Sequence, residues 1–126
     1  MEILYQDGAL LAVNKPSGVL VHRGWGRDES VLVDQVRAAL GTDVAYLLHR
    51  LDRQTSGVVL FALNAEIATQ LGGAFEDGSV QKRYLALVRG VAPDEGRIDH
   101  PIPRREDGPR VPALTEFRRI AQAPTH

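Results

Sequence analysis

The sequence contains no cysteine in its 126 residues, which excludes disulfide bonds, thiolate metal sites and thiol nucleophiles. Aromatic residues are scarce, at 6%, with a single tryptophan. No apolar run approaches the roughly 20 residues that a membrane-spanning helix needs. The first residues also lack the basic segment followed by an apolar one that marks a signal peptide. We therefore predict a cytoplasmic protein with no membrane partner.

Positive and negative charges are almost balanced, with 15 Lys and Arg against 16 Asp and Glu. This composition does not mark a nucleic-acid-binding protein. Residues 97–126 carry six basic and four acidic residues, but solvated surface arginines would give the same small excess. RNA binding would therefore need a local basic patch. The length fits one small domain, residues 1–126, with a modest core.

Apolar runs and turn residues predict an α/β (α+β) fold with a mixed, mainly antiparallel sheet and flanking helices. Short strands are predicted at residues 3–5, 10–13, 19–22, 58–63 and 114–120. Asp7-Gly8 predicts the turn between the first two strands. One helix is predicted between Ser30 and Gly41, and a second begins at Asn64 and ends before Gly78.

Residues 80–90 have the strongest strand pattern in the chain. Tyr84 and Val88 would lie on one face, Leu85 and Leu87 on the other. Since both faces are apolar, the pattern predicts a central strand. The following residues, 91–112, are rich in proline, glycine and arginine, so we predict an irregular basic connection there.

One polar stretch lies between the apolar residues Leu47-Leu48 and the predicted strand at 58–63. Its polar residues are His49, Arg50, Asp52, Arg53, Gln54, Thr55 and Ser56, and Gly57 ends it. From the residues alone, two interpretations stay open. The stretch is a turn whose side chains satisfy backbone amides, or it is a functional loop held on a rigid sheet.

The amino-acid sequence of this stretch resembles the signature of the RluA-type pseudouridine synthases. The shared pattern is His-Arg-Leu-Asp at 49–52, two variable residues, and Thr-Ser-Gly at 55–57. Two further stretches also resemble that family: Lys-Pro-x-Gly at 15–18 and Lys-x-Tyr at 82–84. The resemblance implies isomerisation of a uridine in structured RNA, most similar to the members that act on tRNA. It implies no cofactor.

The resemblance also assigns roles to individual residues. Asp52 is the expected nucleophile, and Arg50 is the expected wedge that replaces an extruded nucleotide. Tyr84 would contact the target base, whereas the residues alone favour a half-buried core tyrosine. The predicted substrate-binding set also includes His49, Thr55, Arg53, Lys82 and Arg83. His49 and Thr55, together with Ser56, would shape the loop.

Several other residues are further candidates for sites. Arg104, Arg105 and Arg110 could neutralise phosphates, or be plain surface charges. Trp25 could stack on a base or pack over the core edge. The four histidines, His22, His49, His100 and His126, show no metal-ligand spacing, so we predict no metal site. Nothing in the sequence indicates an oligomer, and we expect a monomer.

The resemblance also predicts a segment that this sequence lacks. In the family, a later Gly-Arg-x-His-Gln pattern supplies an arginine that pairs with the catalytic aspartate. No such pattern follows the predicted strand at 114–120. We therefore expect this chain to correspond to an N-terminal portion of the family domain. A non-catalytic RNA-binding or RNA-folding module, and a synthase acting on ribosomal RNA, remain as alternatives.

Overall fold

The computed structural model describes residues 1–21, 31–103, 110–111 and 113–123. Its contacts divide the chain into two compact units, Met1–Lys82 and Arg83–His126. In chain order the elements are β1 (Glu2–Gln6), β2 (Leu10–Lys15), α1 (Leu32–Leu40), β3 (Tyr46–Leu47), β4 (Gly57–Ala62), α2 (Ala65–Glu76), β5 (Glu95–Asp99), β6 (Ile102–Pro103), β7 (Arg110–Val111) and β8 (Leu114–Arg118). The predicted class, α+β with a mainly antiparallel sheet, is confirmed.

A four-stranded antiparallel sheet, in the order β1-β2-β4-β3, forms the first unit. The predicted turn between β1 and β2 is confirmed. There the Asp7 carboxylate accepts hydrogen bonds from the amides of Ala9 and Leu10, at 2.7 and 2.8 Å. These bonds replace the backbone pairing that a turn loses, and they fix where β2 begins.

The core lies between this sheet and α1. Its fully or almost fully buried members are Leu11, Val13, Val21, Val31, Leu32, Val33, Val36, Ala45, Val59 and Phe61. The antiparallel register pairs Leu11 with Phe61 and Val13 with Val59, which puts these four side chains on one face. Helix α1 covers that face, so the core depends on β2, β4 and α1 together.

The first turn of α1 is held by backbone groups instead of a capping side chain. The amides of Leu32 and Val33 donate to the carbonyls of Leu20 and Val21, at 2.7 and 3.1 Å. The predicted cap, Ser30, lies outside the described residues. The predicted strand at 19–22 is wrong for its described part, where residues 19–21 form only one bridge. The predicted end at Gly41 is confirmed, with φ at 66°.

Helix α2 begins as the sequence predicts. The Asn64 side chain accepts a hydrogen bond from the Ile67 amide at 2.8 Å, and Gly78 follows the last turn with φ at 79°. None of its side chains is fully buried, but the apolar Leu71 and Phe75 are half-buried. No helix in the described part of the chain is long and apolar enough to cross a membrane.

In the described part of the second unit, the regular structure consists of two small antiparallel ladders. Strand β5 pairs with β8, with Glu95 opposite Arg118 at one end and Asp99 opposite Leu114 at the other. Strand β6 pairs with β7. These strands differ from the irregular connection that the sequence predicts for residues 91–112. The reason is that β5 finds its partner in β8, and such a distant pairing leaves no local signal.

The predicted central strand at 80–90 is wrong. Residues 81–90 have no regular secondary structure and pair with no strand among the described residues. Tyr84, Leu85, Leu87 and Val88 are 62, 83, 98 and 61% exposed. An apolar alternation becomes a strand only where a neighbouring backbone and a covering surface are available, and neither is found in the described part of the chain.

Candidate active site

The polar stretch forms a loop, residues 49–56, which we call the motif loop and which ends at Gly57, the first residue of β4. It connects β3 to β4. These two strands are antiparallel, with Tyr46 opposite Ala62 and Leu47 opposite Phe61. Within the loop, Leu51 packs against the core, whereas its neighbours Arg50 and Asp52 are exposed. Burial of the leucine therefore anchors the loop and leaves a guanidinium and a carboxylate facing solvent.

Asp52 has the accessibility that a nucleophile needs. Its backbone carbonyl accepts a hydrogen bond from the Thr55 amide at 3.0 Å, which closes a turn directly after it. Gly57 ends the loop with φ at 143°, a conformation that other residues rarely adopt. The turn and the glycine together fix the backbone around an exposed carboxylate.

A buried lysine holds the motif loop through a hydrogen bond to its backbone. Lys15, at the end of β2, is 0% exposed. Its Nζ donates to the carbonyls of Pro16 at 3.0 Å, Val19 at 2.7 Å and Arg53 at 3.0 Å. Three acceptors satisfy the three hydrogens of an ammonium group. Burial lowers the pKa of Lys15, and the nearby charge of Asp52 acts in the opposite direction.

Sequence reasoning noted Lys15 only as part of the Lys-Pro-x-Gly pattern and missed its burial. A signal was nevertheless present, because position 15 shares a strand face with Leu11 and Val13, both of which are core residues. A lysine on the apolar face of a strand needs acceptors in the interior. What the sequence does not reveal is that Arg53, distant along the chain, supplies one of them.

Two further hydrogen bonds connect the turn after β2 to the motif loop. The Gly18 amide donates to the Arg53 carbonyl at 2.7 Å, and the Ser17 hydroxyl donates to the Gln54 carbonyl at 2.8 Å. The Arg53 carbonyl thus accepts from both Gly18 and Lys15. Since Arg53 and Gln54 directly follow Asp52, the turn holds the backbone on the C-terminal side of the carboxylate.

His49 opens the motif loop and faces the protein. Its Nε2 accepts a hydrogen bond from the Leu60 amide at 3.1 Å. Its ring stacks on Phe75 of α2, with ring centres 4.8 Å apart and planes at 17°. Burial is the main cause that lowers the pKa of His49, followed by the charge of Lys82, whereas a backbone hydrogen bond with Arg50 raises it. Burial and the hydrogen bond that Nε2 accepts both favour the neutral imidazole.

The first unit brings together most of the predicted site residues: His49, Arg50, Asp52, Arg53, Thr55 and Lys82. Arg50 and Arg53 are exposed, Thr55 is half-buried, and Lys82 is exposed. A shallow cavity of about 320 Å³ is lined by Leu47, Leu48, His49 and Arg50. The wedge candidate therefore borders a depression at the start of the motif loop.

The remaining candidates lie in the second unit or outside the described residues. Arg83 and Tyr84 belong to the second unit, where both are exposed. His22, Trp25, Arg104, Arg105, His126 and the side chain of Arg110 lie outside the described residues. In the part of the chain that is described, no three His, Asp or Glu side chains form a group that could hold a metal ion.

The antiparallel sheet thus presents the exposed carboxylate of Asp52 on a loop that is held by hydrogen bonds to its backbone. Comparison with protein-family models supplies the class: residues 9–125 match the RNA pseudouridylate synthase family. The match covers almost the whole chain, and the chain belongs to this family. The resemblance seen in the motif loop is confirmed.

Curated relatives refine the comparison. The tRNA pseudouridine synthase C of Pasteurella multocida is 57% identical over 104 residues, covering 81% of this chain and 42% of the relative. The enzyme of the same name from Salmonella typhimurium is 46% identical over 133 residues, covering 96% of this chain and 51% of the relative. This chain thus spans about half the length of the curated relatives it matches.

Solved structures agree on the fold. The human RNA pseudouridylate synthase domain containing 4 superposes with a TM-score of 0.74 at 30% identity, over 97% of this chain and 54% of that one. The human RNA pseudouridylate synthase domain containing 1 superposes with a TM-score of 0.71 at 28% identity. That match covers 91% of this chain and 50% of the human one. The arrangement of strands and helices described above is therefore the one found in pseudouridylate synthase domains.

Proposed function

We propose that this chain carries the nucleophile of an RNA pseudouridine synthase that isomerises one uridine in structured RNA, namely tRNA. The observation that carries the proposal is the exposed carboxylate of Asp52 on a loop held by Lys15. The names of the curated relatives support tRNA as the substrate. By the family resemblance, the target would lie where the acceptor and T stems meet.

The reaction needs a nucleophile but no redox partner. The bond from C1′ of the ribose to N1 of uracil breaks, the base turns, and C1′ joins C5, whose proton leaves to water. An ionised Asp52 would attack the nucleotide and form a covalent intermediate, which divides one difficult step into easier ones. Arg50 and Arg53 flank this carboxylate in the chain, and its charge acts on the nearby Lys15.

A stacked uridine hides its glycosidic bond, so the enzyme has to extrude the nucleotide first. Unstacking costs a few kcal/mol. Arg50 is exposed beside the cavity and is our candidate for the side chain that fills the gap. Arg53, Lys82 and Arg83 would contact phosphates, and Tyr84 would contact the extruded base. Thr55 and Ser56 would maintain the loop around Asp52.

The test uses tRNA carrying tritium at C5 of uracil, because pseudouridine formation releases that tritium to water. We expect Asp52→Asn to reduce release by at least about 10⁴-fold while RNA affinity stays close to that of the unchanged chain. Asp43→Asn, which removes another exposed carboxylate of the first unit, is the matched control and should keep its activity. Turnover by Asp52→Asn would exclude this residue as the nucleophile.

A second candidate function is a non-catalytic RNA-binding module. This chain spans about half the length of the curated relatives it matches, so a test has to include the part of the relatives that these residues do not cover. The assay is therefore run on this chain and on a form extended to the length of the relatives. Release by the extended form alone supports an enzyme that needs both parts. Tight tRNA binding without release by either form supports the binding module.

A further inference from the structure

The pairing of β3 with β4 ends in an unusual way. In a regular antiparallel pair, two opposite residues exchange both of their backbone hydrogen bonds. Leu48 makes the first of these, donating to the Leu60 carbonyl at 3.3 Å. The Leu60 amide, however, donates to Nε2 of His49 at 3.1 Å. A side chain therefore completes the pair where the carbonyl of Leu48 would ordinarily accept.

The replacement of a backbone acceptor by the His49 side chain fixes where the motif loop begins. Because the imidazole accepts the bond from the Leu60 amide, Leu48 keeps only one backbone hydrogen bond to Leu60, and the pairing of β3 with β4 ends there. The ring is held on its other side by Phe75 of α2, against which it stacks. His49 is thus fixed by a strand and a helix, three residues before Asp52.

We propose that His49 is a positioning residue for the motif loop and not a substrate contact, and that it works only with a free lone pair at Nε2. Of the two roles that the resemblance suggested for this histidine, the proposal drops substrate binding and specifies how it shapes the loop. It rests on the proposed function only in that the loop it positions carries Asp52 as nucleophile. The hydrogen bond itself can be tested without any activity.

The surroundings of the imidazole favour the neutral form. Strand β4 has no ionisable side chain, and the two carboxylates of α2, Glu66 and Glu76, are exposed at its ends. Arg50 follows in the chain, and the charge of Lys82 disfavours a second positive charge. A protonated ring would carry a hydrogen on Nε2 and could not accept from the Leu60 amide. The bond should therefore fail at acid pH.

Two substitutions separate the acceptor from the ring. In His49→Gln, the amide oxygen has about the reach of Nε2 and accepts a hydrogen bond, but does not titrate. In His49→Leu, a side chain of similar bulk offers no acceptor. His100→Gln, in the second unit, is the matched control for loss of a histidine. The comparison therefore varies acceptor and titration independently.

The first measurement is amide hydrogen exchange at Leu60 by NMR, corrected for the intrinsic pH dependence of exchange. In the unchanged chain, we expect protection at pH 7.5 that is lost as the pH falls below the usual histidine pKa of about 6.5. His49→Gln should keep its protection at both pH values, and His49→Leu should lose it at both. Imidazole ¹⁵N shifts should place the proton of the neutral ring on Nδ1. Protection that is indifferent to both substitutions, or a proton on Nε2, would overturn the proposal.

The second measurement is tritium release, made with whichever form of the protein shows turnover. His49→Leu should lower kcat by about 10- to 100-fold with little change in KM, the cost of a misplaced nucleophile. His49→Gln should keep most of the activity and lose the acid limb of the pH profile that depends on His49. A raised KM with unchanged kcat would make His49 a substrate contact after all. If His49→Leu does not fold, the pH behaviour of His49→Gln still decides.

The two measurements fail separately. If no form releases tritium, the proposed function fails, and the exchange data at Leu60 still test the hydrogen bond. If tritium is released but Leu60 exchange does not depend on His49, the proposed function stands and the positioning role is wrong.

Discussion

Replacing Lys15 by methionine tests the support of the motif loop. The change keeps most of the buried side-chain volume and removes the ammonium group that bonds the carbonyls of Pro16, Val19 and Arg53. The Arg53 carbonyl keeps its bond from the Gly18 amide, so two acceptors lose their recorded partner. Pro16 is exposed and Val19 is half-buried, so we take the cost of one unsatisfied buried acceptor, about 1–3 kcal/mol, as the scale of the loss.

One effect opposes this loss. A buried charge has a desolvation cost, which methionine does not carry, and some buried ionic groups can be replaced by apolar ones without loss of stability. Here the replacement is incomplete, because the carbonyls remain in the turn after the lysine is gone. We therefore expect Lys15→Met to lower the free energy of unfolding by about 1–3 kcal/mol.

The assay is urea denaturation at pH 7 with the m-value fitted for each variant, since an unchanged m-value is needed to compare midpoints. The chain has only two lysines, so Lys82→Met is a natural control for stability. Lys82 is exposed, and its replacement should alter stability by less than about 0.5 kcal/mol. Equal effects of the two substitutions, or a more stable Lys15→Met, would refute the reasoning that the ammonium holds the loop.

Two further predictions follow from the fold. Amides of residues 81–90 should exchange hydrogen rapidly, and those of β2 and β4 slowly, because only the latter lie in a buried ladder; slow exchange at 81–90 would mean that a strand forms there. Asn64→Ala should destabilise the chain by about 1 kcal/mol in urea denaturation through loss of the α2 cap. Asn64→Asp, which keeps an acceptor, should be close to neutral, and equal losses for both would contradict a capping role.

Local signals account for what the sequence predicted correctly. The Asp7-Gly8 turn, the end of α1 at Gly41 and the start of α2 at Asn64 each depend on a few neighbouring residues. The motif loop was found for the same reason, since its polar residues stand between two apolar runs. Its resemblance to a family added the expected role of Asp52, which a turn pattern alone does not give.

Contacts between distant residues account for what the sequence missed. Residues 80–90 have a strand pattern, but no described strand pairs with them. Strand β5 lacks a clear pattern, yet it forms because β8 pairs with it. Similarly, the bond between His49 and Leu60 depends on the register of β3 against β4. Pairing partners and register are properties of the whole fold, so a local pattern cannot supply them.

The two groups that hold the motif loop make opposite demands on protonation. His49 accepts a hydrogen bond, so it has to be neutral, whereas Lys15 needs all three of its hydrogens for three carbonyls and has to be charged. Burial lowers the pKa of both groups. The pH range in which the loop is held at both ends is therefore displaced downward at its acid and its alkaline limit alike. Because the charge of Asp52 favours the protonated Lys15, the carboxylate that the loop presents also helps to keep that loop in place.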